Sequence, residues 1–196
     1  MSPARLRAVI FDLDGTLVDS RLDFAAMRRE LDAPSELGLL EYVARLPSQE
    51  ERDLAMAVIH QHEIAGALAA QWMPGAEQTV HALHQQQTPI AIVTRNSREA
   101  AQLTMQRLDM PAIPLKARED AAPKPDPEAL LAVASAWRIQ PEHCAYVGDF
   151  RYDIEAAQRA GMLPVLYVAD KEAPQEFDAQ VRLLRQFDAI FAWLDS

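Results

Sequence analysis

The chain has 196 residues, 49% of them hydrophobic and 24% charged, which is enough for one ample core and a small second lobe in an ordinary globular enzyme. Its net charge of −10 has no compensating basic stretch, so nucleic acid is excluded as a partner, and no apolar stretch is long enough to cross a bilayer. The single cysteine, Cys144, rules out an intramolecular disulfide and suits a reducing compartment, and Met1–Arg7 lacks the apolar middle of a signal peptide, so a cytoplasmic location is expected.

The first element is the apolar run Ala8–Phe11, which has no polar alternation and so reads as a parallel strand covered on both faces. It ends abruptly in Asp12-Leu13-Asp14-Gly15-Thr16, two carboxylates, a glycine for a tight turn and a hydroxyl. In open α/β sheets the ligand crevice lies beyond the carboxyl ends of the strands, which places Asp12 and Asp14 at a site. Alone, Asp-x-Asp-Gly is equally an ordinary turn, and partners further along the chain decide the matter.

Leu22–Leu31, Glu36–Leu46 and Ser48–Trp72 read as helices, the third opened by a capping box of Ser48 and Glu51, with Pro34 and Pro47 at the joins. Some fifty residues of helix are too many for a simple crossover, so they read as an all-helical cap inserted after the first strand. The chain returns at Met73-Pro74-Gly75 to a helix over Ala76–Gln87 and a second buried strand over Pro89–Thr94. A helix over Ser97–Leu108, a short strand over Ala112–Leu115 and a helix over Asp126–Trp137 follow. Then come a strand over Cys144–Val147, a helix over Tyr152–Ala160 stopped by Gly161, and a strand over Pro164–Val168. A helix over Pro174–Gln186 and a last short strand over Ala189–Phe191 complete the chain. This alternation predicts an α/β fold, a doubly wound parallel sheet. The domain boundaries expected are 1–20 with 73–196 for the α/β core and 21–72 for the cap.

Strand ends carry the remaining polar groups. The second strand ends in Thr94-Arg95-Asn96-Ser97, a hydroxyl followed by N–H groups at a helix start, which suits phosphate oxygens. The Cys144 strand ends in Gly148-Asp149, with Asp153 four residues on, and Lys124 sits between prolines in a stiff loop. Four carboxylates around one crevice repel one another, and a hard divalent cation resolves the repulsion. Mg²⁺, which takes few carboxylates together with water and substrate phosphate, matches the set. No His or Cys stands at zinc-ligand spacing, and the five histidines read as structural or solvated; Cys144 reads as a packed thiol.

Asp12-Leu13-Asp14-Gly15-Thr16-Leu17, Thr94, Lys124 and Gly148-Asp149-Phe150-Arg151-Tyr152-Asp153 resemble, in order and spacing, the four motifs of the haloacid dehalogenase-like hydrolase superfamily. The insertion is similar to the cap of its phosphoglycolate phosphatase and β-phosphoglucomutase-like branch, though shorter. The resemblance implies a Rossmann-like core and a phosphatase working through an aspartyl-phosphate. Asp12 would be the nucleophile and Asp14 the acid and base. Mg²⁺ would be held by Asp12, the Asp14 carbonyl and Asp149, with support from Asp153. Thr94 and Lys124 would hold the transferring phosphoryl group. The presence of Asp14 favours ester hydrolysis over carbon–halogen cleavage, since a leaving alkoxide needs a proton.

Arg95 stands where an Asn often follows the Thr of that branch; it is counted with the phosphate-binding residues, facing a substrate carboxylate or second phosphate, or else pairing with an acid such as Glu99. Arg21, Asp23 and Arg28 are candidates for substrate contact from the cap. The expected partner is a small phosphorylated metabolite, and both monomer and homodimer are open. A sugar-phosphate mutase of the β-phosphoglucomutase type would keep all these residues. A receiver-like phosphorylated signalling domain is disfavoured by motif order and the helical lid, and a non-catalytic binding protein by the intact site.

Overall fold

The computed structural model describes residues 5–170, 172, 177 and 180–194. Strand β1 (Ala8–Phe11) lies fully buried at the middle of a six-stranded sheet, between β4 (Ile90–Val93) and β6 (Cys144–Gly148). Beyond β4 lies β5 (Leu115–Lys116), and beyond β6 lie β7 (Leu163–Tyr167) and β8 (Arg182–Leu184), with every pairing in this sheet parallel. The unbroken apolar runs have a simple cause: alternate residues of each strand feed two different cores. Val9 and Phe11 pack with Val80 and Leu83 of α4 (Ala76–Gln85) and Ala101 of α5 (Arg98–Arg107). Ala8 and Ile10 pack with Leu130 and Val133 of α6 (Glu128–Trp137) and Ala156 and Ala157 of α7 (Arg151–Ala160). Both faces are therefore covered by helices, which is the doubly wound arrangement.

The chain leaves β1 toward β4 and β5 on one side and reaches β6, β7 and β8 on the other. The reversal at β1 opens a crevice beyond its carboxyl end, flanked by the ends of β4 and β6. Asp12 is the first residue past β1, and its N–H donates to the Val147 carbonyl at 2.8 Å.

Between β1 and α4 the chain forms β2 (Val18–Asp19), helices α1 (Phe24–Leu31), α2 (Leu39–Ala44) and α3 (Gln49–Ala69), and β3 (Gln71–Trp72). Met27, Leu39, Val43, Ala55 and Ile59 give these helices an apolar cluster of their own. The capping box at Ser48 and Glu51 starts α3 as expected. Helix α1 starts at Phe24 rather than Leu22 because the Asp23 carboxylate caps it, accepting from the Ala26 N–H at 2.8 Å.

Several expectations fail at element ends. The third helix does not run to Trp72: Gln71 and Trp72 pair antiparallel with Asp19 and Val18, forming a ribbon at the base of the insertion. Two residues a side are too few for a period-2 signal to show. The strand expected over 112–115 is shifted to Leu115–Lys116, where Pro114 has already passed. Part of the helix expected over 174–186 (174–176, 178 and 179) lies outside the described residues, and within it Arg182–Leu184 is a strand paired with β7. The strand expected over 189–191 is a 3-10 helix, Phe187–Ala192, whose Phe187 ring lies 4.8 Å from that of Tyr167 and 6.4 Å from that of Phe11. There the ring's burial against the sheet outweighs the short apolar pattern.

Candidate active site

At the end of β1 the backbone must turn at once, and Gly15 does so with φ +82°. A β-carbon there would also lie 2.4 Å from an oxygen of Asp149, so glycine is required both by the turn and by the approach of the loop after β6. Carboxylate oxygens of Asp12, Asp149 and Asp153 all lie within 4.8 Å of one another. Asp153 also closes the first turn of α7, accepting from the Phe150 N–H at 3.0 Å.

Lys124, from the loop before α6, reaches into this cluster with its side chain buried. Its Nζ lies 2.7 Å from Asp12 Oδ1, Asp153 Oδ1 and the Tyr146 hydroxyl, and 3.3 Å from the Val93 carbonyl. Burial alone would lower the lysine pKa, but Asp12 and Asp153 outweigh it and hold the ammonium form above its usual range. Burial pushes the Asp12 carboxyl up, Lys124 opposes it, and the charges of Asp153 and Asp149 add to the upward push. The upward pushes win, so the Asp12 carboxyl stands well above the usual carboxylate range, with Lys124 as the cation that opposes them.

Asp14 is held differently. Burial raises its pKa, against the Ser20 hydroxyl and the Asn96 amide, and Asn96 Nδ2 donates to its Oδ2 at 2.9 Å. Its Oδ1 is buried with no hydrogen-bond partner. Burial and the unsatisfied Oδ1 thus both favour the protonated form of this carboxyl relative to a solvated one. Thr94 is buried, and its hydroxyl accepts from the Asn96 N–H at 3.1 Å.

Of the expected residues, Asp12, Lys124, Asp149 and Asp153 meet in one cluster, while Asp14 and Thr94 are joined through Asn96. Arg95 points elsewhere. Its Nη2 lies 2.5 Å from Glu41 Oε1 on α2, and its guanidinium lies 4.8 Å from the centroid of the Tyr152 ring; Glu99 instead lies 3.2 Å from His60 Nε2. Asp23 is the cap of α1, Arg28 donates to the carbonyls of Pro34 and Leu37 at 2.6 and 2.7 Å, and Arg21 forms an exposed pair with Asp19. The structure uses Asp23 and Arg28 to build the insertion.

Two partners in the site were not foreseen. Tyr146 stands in the middle of an apolar strand, and a buried hydroxyl in such a run needs a partner, which was the available signal. Asn96 is the second, hidden because an asparagine before a helix reads as a cap. The insertion contributes a third surprise: Glu63, buried on α3, forms a salt bridge to Arg118 and accepts from the Ser97 N–H at 3.4 Å. Cys144 is buried as expected, and burial pushes its thiol up to about 11.

The donor set is all hard oxygen, with three clustered carboxylates and an orphaned buried oxygen on Asp14, so the residues fit a hard divalent cation.

A family model described as haloacid dehalogenase-like hydrolase matches residues 6–161. The chain belongs to the haloacid dehalogenase-like hydrolases. This hydrolase is 33% identical over 174 residues to a haloacid dehalogenase-like hydrolase domain-containing protein of Arabidopsis thaliana, covering 83% of this chain and 71% of the relative. It is 30% identical over 177 residues to a phosphoglycolate phosphatase of Xanthomonas campestris pv. campestris, covering 80% of each. A crystal structure of a hydrolase from Pseudomonas syringae superposes with a TM-score of 0.79 at 20% identity, covering 96% of this chain and all of that one, which shows a shared fold. No helix among the described residues of the hydrolase is long and apolar enough to cross a membrane.

Proposed function

We propose that this chain, a phosphoric monoester hydrolase, cleaves the phosphomonoester of a small metabolite, in the manner of the phosphoglycolate phosphatase it is similar to, through an aspartyl-phosphate on Asp12. The observation that carries the reading is the buried Lys124 ammonium, 2.7 Å from both Asp12 and Asp153 at the switch point of the sheet. It marks a place where several negative groups are meant to coexist.

In this reading an Asp12 oxygen attacks phosphorus, and the bond from phosphorus to the ester oxygen breaks. Asp14 gives its proton to the departing oxygen and is left as carboxylate. That carboxylate then takes a proton from the water that attacks the aspartyl-phosphate, the Asp12–phosphorus bond breaks, and phosphate leaves with Asp14 reprotonated. Thr94 and Lys124 orient the equatorial phosphoryl oxygens, and Asn96 holds Asp14 toward the leaving side. Asp12, the Asp14 carbonyl, Asp149 and Asp153 would hold Mg²⁺, which when bound supplies positive charge to the phosphoryl oxygens. We assign residues 1–20 and 73–196 to the catalytic core and 21–72 to a cap that governs access. The pair of buried Glu63 with partly buried Arg118 keeps α3 seated on the segment after β5.

The test is phosphate release from a panel of phosphorylated metabolites and one activated aryl phosphate, with Mg²⁺ and with chelator. Release that needs the metal supports the assignment. Release unchanged by chelator, or transfer of the phosphoryl group to a second sugar phosphate in place of release, overturns it.

A further inference from the structure

Arg95 lies between two residues of the site. Thr94 precedes it, and Asn96, which holds Asp14, follows it. Both ends of Arg95 are fixed: its carbonyl accepts from Arg118 Nη1 at 3.3 Å, and its guanidinium stands over Tyr152, one residue before Asp153. The guanidinium therefore stands between the insertion, through Glu41, and the first turn of α7 that carries Asp153, while its backbone joins Thr94 to Asn96.

The anion that meets it is Glu41, from α2 of the insertion, and the pairing is incomplete. A guanidinium can offer a carboxylate two parallel N–H bonds, yet Glu41 takes one through Oε1. Its Oε2 is buried with no hydrogen-bond partner. A carboxylate with one buried oxygen left unsatisfied is readily exchanged for one that satisfies both. Lys124, meanwhile, is committed to Asp12 and Asp153, so a substrate bringing a carboxylate beside its phosphate needs another cation.

Resting on the phosphatase reading above, we propose that Arg95 selects substrates whose leaving group carries a carboxylate, and that Glu41 holds that place on the guanidinium until the substrate displaces it. Gly38, which caps α2, belongs to the same device. A β-carbon there would come within 1.9 Å of Glu41 Oε2, while the φ of −63° at Gly38 is open to alanine. Gly38→Ala therefore pushes the Glu41 carboxylate off Arg95 without changing a charge.

The experiment compares kcat and KM within two matched pairs, phosphoglycolate with 2-hydroxyethyl phosphate and 3-phosphoglycerate with glycerol 3-phosphate, an activated aryl phosphate serving as the common reference. The wild type is expected to favour the carboxylate member of at least one pair by about tenfold in kcat/KM. Arg95→Gln erases that ratio through KM, and Arg95→Lys restores part of it. Glu41→Gln and Gly38→Ala each lower KM for the carboxylate member severalfold and leave the neutral member unchanged. A wild-type ratio near one in both pairs, or a ratio that survives Arg95→Gln, overturns the inference while aryl phosphate turnover keeps the phosphatase reading. Absence of aryl phosphate turnover overturns that reading and the inference with it.

Discussion

Lys124, buried, and Arg118, partly buried, both face carboxylates, but they meet them by different routes. Lys124 finds Asp12 one residue past β1 and Asp153 in the first turn after β6, groups that the sheet delivers to one point whatever else the chain does. Arg118 finds Glu63 in the middle of α3, in an insertion whose helices have their own apolar cluster. The first arrangement follows from strand order; the second exists only if the insertion docks in one particular way. The cluster is therefore assembled by the sheet, and pairs of charges join the insertion to the core.

Breaking the first arrangement should cost most. Lys124→Met leaves Asp12 and Asp153 buried without their cation, and we expect loss of turnover together with destabilisation of about 3–5 kcal/mol, read by urea unfolding. Unchanged stability would mean that solvent already shields the cluster.

The docking pairs should rank by burial. Arg118→Met strands Glu63, whose side chain is 7% exposed, and is expected to cost about 3 kcal/mol. Glu41→Gln acts on a pair whose side chains are 20% and 31% exposed and should cost less than about 1 kcal/mol. Equal costs would erase the distinction between an anchor and an exchangeable contact.

The smallest effect concerns Cys144, on the core side and away from both sets. Its thiol pKa rises from 9.0 to about 11 on folding, so the folded state holds the proton more tightly. The stability tied to it is present below pH 9 and lost as pH rises from there through about 11. At pH 8 roughly one thiol in a thousand is ionised, and native protein should resist alkylation that unfolded protein undergoes at once. Rapid modification of native protein would show that β6 opens.

The same contrast explains what the sequence made legible. β1 ends in Asp12 and Asp14, β4 in Thr94 and β6 in Gly148-Asp149, so each motif announces itself as polar residues following an apolar run. That local pattern was enough for the α/β fold and for assembling the cluster. Glu63 and Arg118 are 55 residues apart, and Arg95 and Glu41 are 54 apart; Arg95 stood out as a phosphate-site candidate or a partner of Glu99, but its partner is Glu41. Nothing local marks such a pair, because its partner is supplied by tertiary docking. The β2–β3 ribbon and the 3-10 helix at Phe187 escaped for the related reason that non-local pairing and burial, rather than a repeating pattern, decide them.

The central claim is that Asp12 carries the phosphoryl group, and an acid-quenched single turnover tests it most directly. With an activated aryl phosphate and Mg²⁺, mass spectrometry should find a phosphoryl adduct on the peptide containing Asp12 in the wild type. Asp12→Asn should lose the adduct and at least about a thousandfold of turnover while keeping its unfolding midpoint. Turnover in Asp12→Asn at the wild-type rate, or an adduct on another residue, would contradict the account.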